Sequence, residues 1–241
     1  MTQIFILIAA HYLADFYFQT ATIAREKATK FRYLLVHAAI YSVFIYVGMA
    51  VSVHPLNALL PAAVVSLSHF AIDWLKITAD RHLGNPWHRF GSFCLDQIIH
   101  IVILFVVYYG CLQYELASPW WNSLASLPHL QEYTVYSLIL LLCLKPCAIF
   151  VSKLLECFGQ SEANGQVPDK GGYVIGLLER FIVAVLIING HIGEIAFVLT
   201  AKSVARFKEF DKDGFAEKFL IGTMASISFA LAISLFLLKF I

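Results

Sequence analysis

Charge is scarce in this sequence. Sixteen acidic and 17 basic residues are spread over 241 positions, with a formal net charge of +1. No cationic excess is available to follow a phosphate backbone and no recognition motif is present, so nucleic acid is excluded as a partner. Paired cysteines are also lacking: Cys94, Cys111, Cys143, Cys147 and Cys157 form no CxxC and no paired spacing. That argues against a disulfide framework or thiolate metal site and reads the five as small apolar side chains. The first apolar run has no basic leader before it and no small-residue cleavage site after it, so a retained helix is expected rather than a signal peptide. No repeat period or low-complexity tract is visible.

What the chain has instead is apolar length. Sixty per cent of its residues are hydrophobic and the mean hydropathy is +0.75, values that a soluble domain of this size rarely needs. Runs matching a bilayer core fall near 2–20, 33–53, 57–77, 92–112, 133–155, 173–190, 192–207 and 219–240. The expected fold is an all-α polytopic membrane protein of about eight transmembrane helices. Asn189-Gly190-His191 would make the sixth and seventh a tight hairpin, and Lys145-Pro146 would kink the fifth.

Loop charges orient the bundle. Arg25, Lys27, Lys30 and Arg32 follow the first span, Lys76, Arg81 and Arg89 surround the loop after the third, Lys153 and Lys170 flank that after the fifth, and Arg206, Lys208, Lys212 and Lys218 separate the last two. The intervening loops near 54–57, 113–132 and 190–191 contain no Lys or Arg. Both termini are therefore expected outside, and the basic loops in the cytoplasm of a multi-pass inner-membrane protein. The segment 113–132, with Pro119, Trp120 and Trp121, reads as an interfacial external loop dividing a four-helix half (1–112) from a second (133–241). The Gly-rich polar loop 156–172 reads as mobile and cytoplasmic.

Ionisable residues inside spans are costly and mark function when partners can be named. The first four spans each carry a polar pair at i and i+4: His11 and Asp15, His37 and Tyr41, His69 and Asp73, Asp96 and His100. Residues four apart share a helix face. Counted from the cytoplasmic ends, Asp15, His37, Asp73 and Asp96 form a shallow layer, and His11, Tyr41, His69 and His100 a deeper one. The pair order reverses with helix direction, so four stripes at matched depth imply one interior. Imidazole and carboxylate together suit a divalent ion, Zn ahead of Fe or Mn, and a cation relieves the cost of burying three carboxylates. His11, His37, His69, His100, Asp15, Asp73 and Asp96 are the expected ligands. Asp15, Asp73 or Asp96 would act as general base, and Lys76 would hold an anionic group or snorkel. Gln19, Tyr41 and Gln97 extend the stripes toward substrate. In the second half, Glu179 and Arg180 sit inside span six and Lys202 in span seven, either as an internal ion pair or as an anion or lipid-phosphate site.

The stretches HYLADFYFQ, LLVHAAIY, SHFAIDWLK and DQIIHI, with GGYVIGLLERF and LTAKSVARFKE, resemble an uncharacterised bacterial integral membrane family. It is catalogued as a domain of unknown function, and its members often neighbour SatD-like proteins. A looser similarity links the chain to bacterial membrane-bound metal-dependent hydrolases, whose His-Arg and Thr-His-Ser signatures it lacks. Three functions are then in competition: a metal-dependent hydrolase of a lipid or lipid-linked substrate, a proton- or divalent-cation-coupled transporter or channel, and a membrane partner for a soluble cytoplasmic protein.

Overall fold

The computed structural model describes residues 1–159 and 170–241; the expectation for the middle of the 156–172 loop lies outside the described residues. The fold is helical: α1 (Thr2–Tyr12), α2 (Ala21–Glu26), α3 (Phe31–Ser52), α4 (Pro55–Asp80), α5 (Pro86–Gly110), α6 (Trp121–Ala125), α7 (Leu130–Cys157), α8 (Lys170–Ile188), α9 (Ile195–Ala205) and α10 (Phe215–Leu237). Six helices, α3, α4, α5, α7, α8 and α10, are long and apolar enough to cross a membrane. Two expected spans are shorter than their apolar runs. α9 has 11 residues between 3-10 turns at Ile192–Glu194 and Phe207–Glu209, about 16 Å of helix at 1.5 Å per residue. α1 also has 11 residues, and continues as a π-turn over Leu13–Tyr17 before the chain bends away.

Helix limits follow local chemistry. α4 and α5 open with Pro55 and Pro86, where a missing N–H costs nothing. Asn85 caps α5 by accepting from the Trp87 N–H (2.9 Å), and Thr20 caps α2 by accepting from Ile23 (3.2 Å). α8 ends at Gly190, whose φ of +78° lets the His191 N–H return to the Leu186 carbonyl (2.8 Å). α7 runs through Pro146 as one helix.

The chain divides into two compact units, Met1–Leu138 and Ile139–Ile241. In the first, apolar side chains face outward on the long helices, among them Val43, Leu60, Leu67 and Leu75, each at least 60% exposed. The histidines and aspartates face inward. This arrangement suits lipid, where burial of apolar surface does not drive association and close packing must. Gly48 supplies such packing, since a Cβ there would lie 3.0 Å from the Ala10 Cβ. The resulting close approach of α1 and α3 sets His11 beside Tyr41.

At the end of this unit away from the basic connections, the segment before α6 docks on the last turn of α3. Ser118 Oγ donates to the Val51 carbonyl (2.6 Å), the Ser118 N–H to that of Ser52 (3.1 Å), and Trp120 Nε1 to that of Ala50 (3.1 Å). Carbonyls that a helix end leaves unpaired are thereby satisfied. Just inside, Ile4, Leu7, Ile45, Met49 and Leu104 fill the interior, none more than 1% exposed.

Candidate metal centre

α1, α3, α4 and α5 place His11, Asp15, His37, Tyr41, His69, Asp73, Asp96 and His100 in one interior, none more than 8% exposed. Asp15 lies on the π-turn, whose widened register is fixed by the Phe18 N–H bonding the Leu13 carbonyl five residues back (2.9 Å). Such turns re-aim side chains and recur at functional sites. From there Asp15 Oδ1 meets His37 of α3 and His69 of α4, and its other oxygen meets Gln97 of α5.

The centre is four converging atoms. His37 Nε2 lies 3.1 Å from Asp15 Oδ1, 3.3 Å from Asp73 Oδ2 and 3.2 Å from His69 Nε2, and His69 Nε2 lies 3.9 Å from both carboxylate oxygens. Tetrahedral bonds of about 2.0–2.2 Å place neighbouring ligands roughly 3.3–3.5 Å apart; the contacts of His37 fall at or just below that spacing and those of His69 with the carboxylates above it. Donor atoms of His69, Asp73 and His100 form a second group within 4.8 Å.

A knot of hydrogen bonds alone does not account for these side chains. His11 Nε2, His37 Nδ1, His69 Nδ1, both ring nitrogens of His100 and Asp96 Oδ1 are buried without a partner, whereas buried polar atoms are ordinarily paired. Three carboxylates against the Lys27 ammonium, with the Lys76 charge also reaching Asp96, leave a net negative charge when the imidazoles are neutral. A divalent cation has the charge to cancel it, and an imidazole–carboxylate set is the right donor chemistry.

The surrounding groups orient the ligands. Tyr41 Oη meets His11 Nδ1 at 3.1 Å, and its ring stacks on His69 with centroids 3.5 Å apart and planes 8° from parallel. Gln97 donates to Asp15 Oδ2 (3.0 Å) and Asp96 Oδ2 (3.1 Å). Lys27, in the connection between α2 and α3, donates to Asp73 Oδ2 at 2.7 Å. Gln19, with its amide turned to suit both neighbours, donates to the Asp15 carbonyl (3.0 Å) and accepts from Lys27 (2.9 Å). Burial works against the Lys27 ammonium, but the carboxylates of Asp73 and Asp15 prevail and hold its pKa above the ordinary lysine value.

The seven expected ligands are thus brought together, with Gln19, Tyr41 and Gln97 beside them. Lys76 is placed differently: it leans toward Asp80 (3.8 Å) and its charge reaches Asp96 from there, while the cation bonded to the cluster is Lys27. By sequence Lys27 is one of several basic loop residues, and no spacing separates it from Lys30. Glu179 and Arg180 lie in the second unit, where Glu179 meets Lys202 at 2.5 Å.

Residues 3–127 match the family model described as a protein of unknown function, DUF3307. The chain belongs to the DUF3307 family. The matched stretch of this DUF3307 chain contains every residue of the His/Asp centre together with Gln19, Lys27 and Gln97, while Glu179, Arg180 and Lys202 lie beyond it. Comparison with curated proteins and with solved structures finds no match.

Proposed function

We propose that this DUF3307 protein is a metal-dependent membrane enzyme, a hydrolase acting on a lipid or lipid-linked phosphate or ester from the cytoplasmic half of the bacterial inner membrane. The observation that carries the reading is the approach of His37 and His69 to each other and to both Asp15 and Asp73, at 3.1–3.9 Å, at the end of the unit bearing Arg25, Lys30 and Arg81. Eight crossings with both termini outside would put that end in the cytoplasm.

A bound divalent ion, Zn ahead of Fe or Mn, would lower the pKa of a coordinated water and polarise a substrate oxygen. The chain's own groups then have distinct tasks. Asp96 has one oxygen held by Gln97 and the other, without a hydrogen bond, 4.0 Å from His100 Nδ1, so it is the carboxylate placed to take a proton as general base. Lys27, 16% exposed at its side chain, faces the accessible side and would hold an anionic head group, with Gln19 fixing its direction. Tyr41 and His11 keep the His69 ring in place. The basic connections on the same side would also serve a soluble cytoplasmic partner.

The apolar fill beyond His11 and Tyr41 favours one-sided access over passage. Ile4, Leu7, Ile45, Met49 and Leu104 are buried apolar side chains there, whereas proton and cation relays are lined by polar and ionisable groups. The test is elemental analysis of detergent-purified protein, with hydrolysis of phospholipid and phosphate-ester panels. Wild type should hold a stoichiometric ion, His69→Ala should lose it, and Asp96→Asn should keep the ion but lose turnover. A folded, metal-free wild type overturns the proposal, as does ion-driven flux in liposomes without any hydrolysis.

A further inference from the structure

The second unit buries a cation that no acid answers. Arg180, in the middle of α8, is 8% exposed, and its Nε is buried without a partner. The residue before it, Glu179, is committed elsewhere: its Oε2 lies 2.5 Å from Lys202 Nζ, which also donates to Thr223 Oγ1 at 3.1 Å. No carboxylate among the described residues pairs with the guanidinium. An unpaired charge inside a transmembrane helix is expensive and by default marks a binding function.

The surroundings form a place for that charge to meet a ligand. The guanidinium folds back over Gly176 one turn earlier, where a Cβ would come within 3.3 Å of Nη1 and 3.7 Å of Nη2. Its charge reaches the thiols of Cys143 and Cys147 of α7. Cys147 Sγ is 3.9 Å from Ser226 Oγ of α10. A planar fork of donors beside neutral thiols and a hydroxyl, with no competing carboxylate, is suited to an oxyanion.

We infer that Arg180, cradled by Gly176 with Cys147 within reach of its charge, is a binding site for a phosphate oxyanion, separate from the His/Asp centre. A lipid phosphodiester, which carries one negative charge, would match the single uncancelled positive charge; free phosphate offers the same chemistry.

The experiment uses the full-length protein, delipidated in a zwitterionic detergent. Retention of phosphatidylglycerol and of phosphatidylcholine is read by native mass spectrometry, and thermal stability is read with each lipid and with inorganic phosphate. Wild type should prefer phosphatidylglycerol by roughly tenfold, the scale of one charge-assisted hydrogen bond. Arg180→Met and Gly176→Ala should both lose that preference, the second by crowding the guanidinium. Without anion, Arg180→Met should melt higher than wild type, because it removes an unanswered buried charge. Stabilisation by inorganic phosphate equal to that by phosphatidylglycerol, lost in both variants, would support the site with free phosphate as its ligand. Equal lipid retention by wild type and both variants, with no response to phosphate, overturns the inference. So does an Arg180→Met protein that melts lower than wild type with no anion added. Metal content of these variants should match wild type, so the outcome does not depend on the His/Asp centre.

Discussion

The two units bury charge in opposite ways. The first gathers Asp15, Asp73 and Asp96 with four imidazoles and one ammonium, leaving an acidic excess around converging donor atoms. The second pairs Glu179 with Lys202 and leaves Arg180 over, with no acid among the described residues paired to it. Burying ions is costly in either setting. The first interior could hold a cation, and the residual charge of the second is the basis for the anion proposed there.

The largest contrast is expected from crossing one variant of each unit. Asp73→Ala should abolish metal binding and Glu179→Gln should leave it intact, measured by elemental analysis; metal lost equally from both would dissolve the distinction between the units. Next in size, Glu179→Gln should destabilise the protein by about 1–3 kcal/mol, because Lys202, 19% exposed at its side chain, is left without its acid. Urea or detergent unfolding checks this, and the double variant Glu179→Gln, Lys202→Met should recover much of the loss. Tyr41→Phe keeps the ring stacked on His69 but removes the hydroxyl from His11, and should weaken the ion about 10–100-fold by competition against a chelator. Undiminished affinity would limit Tyr41 to packing. Gly48→Ala should cost about 1–3 kcal/mol by forcing α1 and α3 apart at a 3.0 Å approach, and metal affinity should fall with it if that crossing sets the donors. Smallest of all, Arg25→Ala, at a side chain 78% exposed, should change neither thermal stability nor metal content.

Much of this was legible in one dimension. Apolar runs marked the six long helices, because a bilayer demands length and hydrophobicity that few other contexts require. The i, i+4 spacing put His69 with Asp73, and Asp96 with His100, on shared faces, and counting inward from basic ends aligned the layers. The π-turn at Leu13–Tyr17 was not legible, since it depends on how Asp15 is held by three other helices rather than on its own propensity. Nor was the short α9: an apolar run from 192 gave no sign that the helix proper would occupy Ile195–Ala205 alone. Lys27 was counted for orientation, and its approach to Asp73 bridges 46 positions, a separation no local pattern encodes.

The sequence by itself determined that this chain is a membrane helical protein with acid and imidazole groups on shared helix faces, because hydropathy and helical periodicity are local properties. Tertiary structure alone decided which atoms converge, that Lys27 rather than Lys76 meets the carboxylates, and that Lys202 takes Glu179 and leaves Arg180 unanswered. Those outcomes depend on side chains far apart in sequence competing for the same few ångströms, and that competition is settled only when the helices pack.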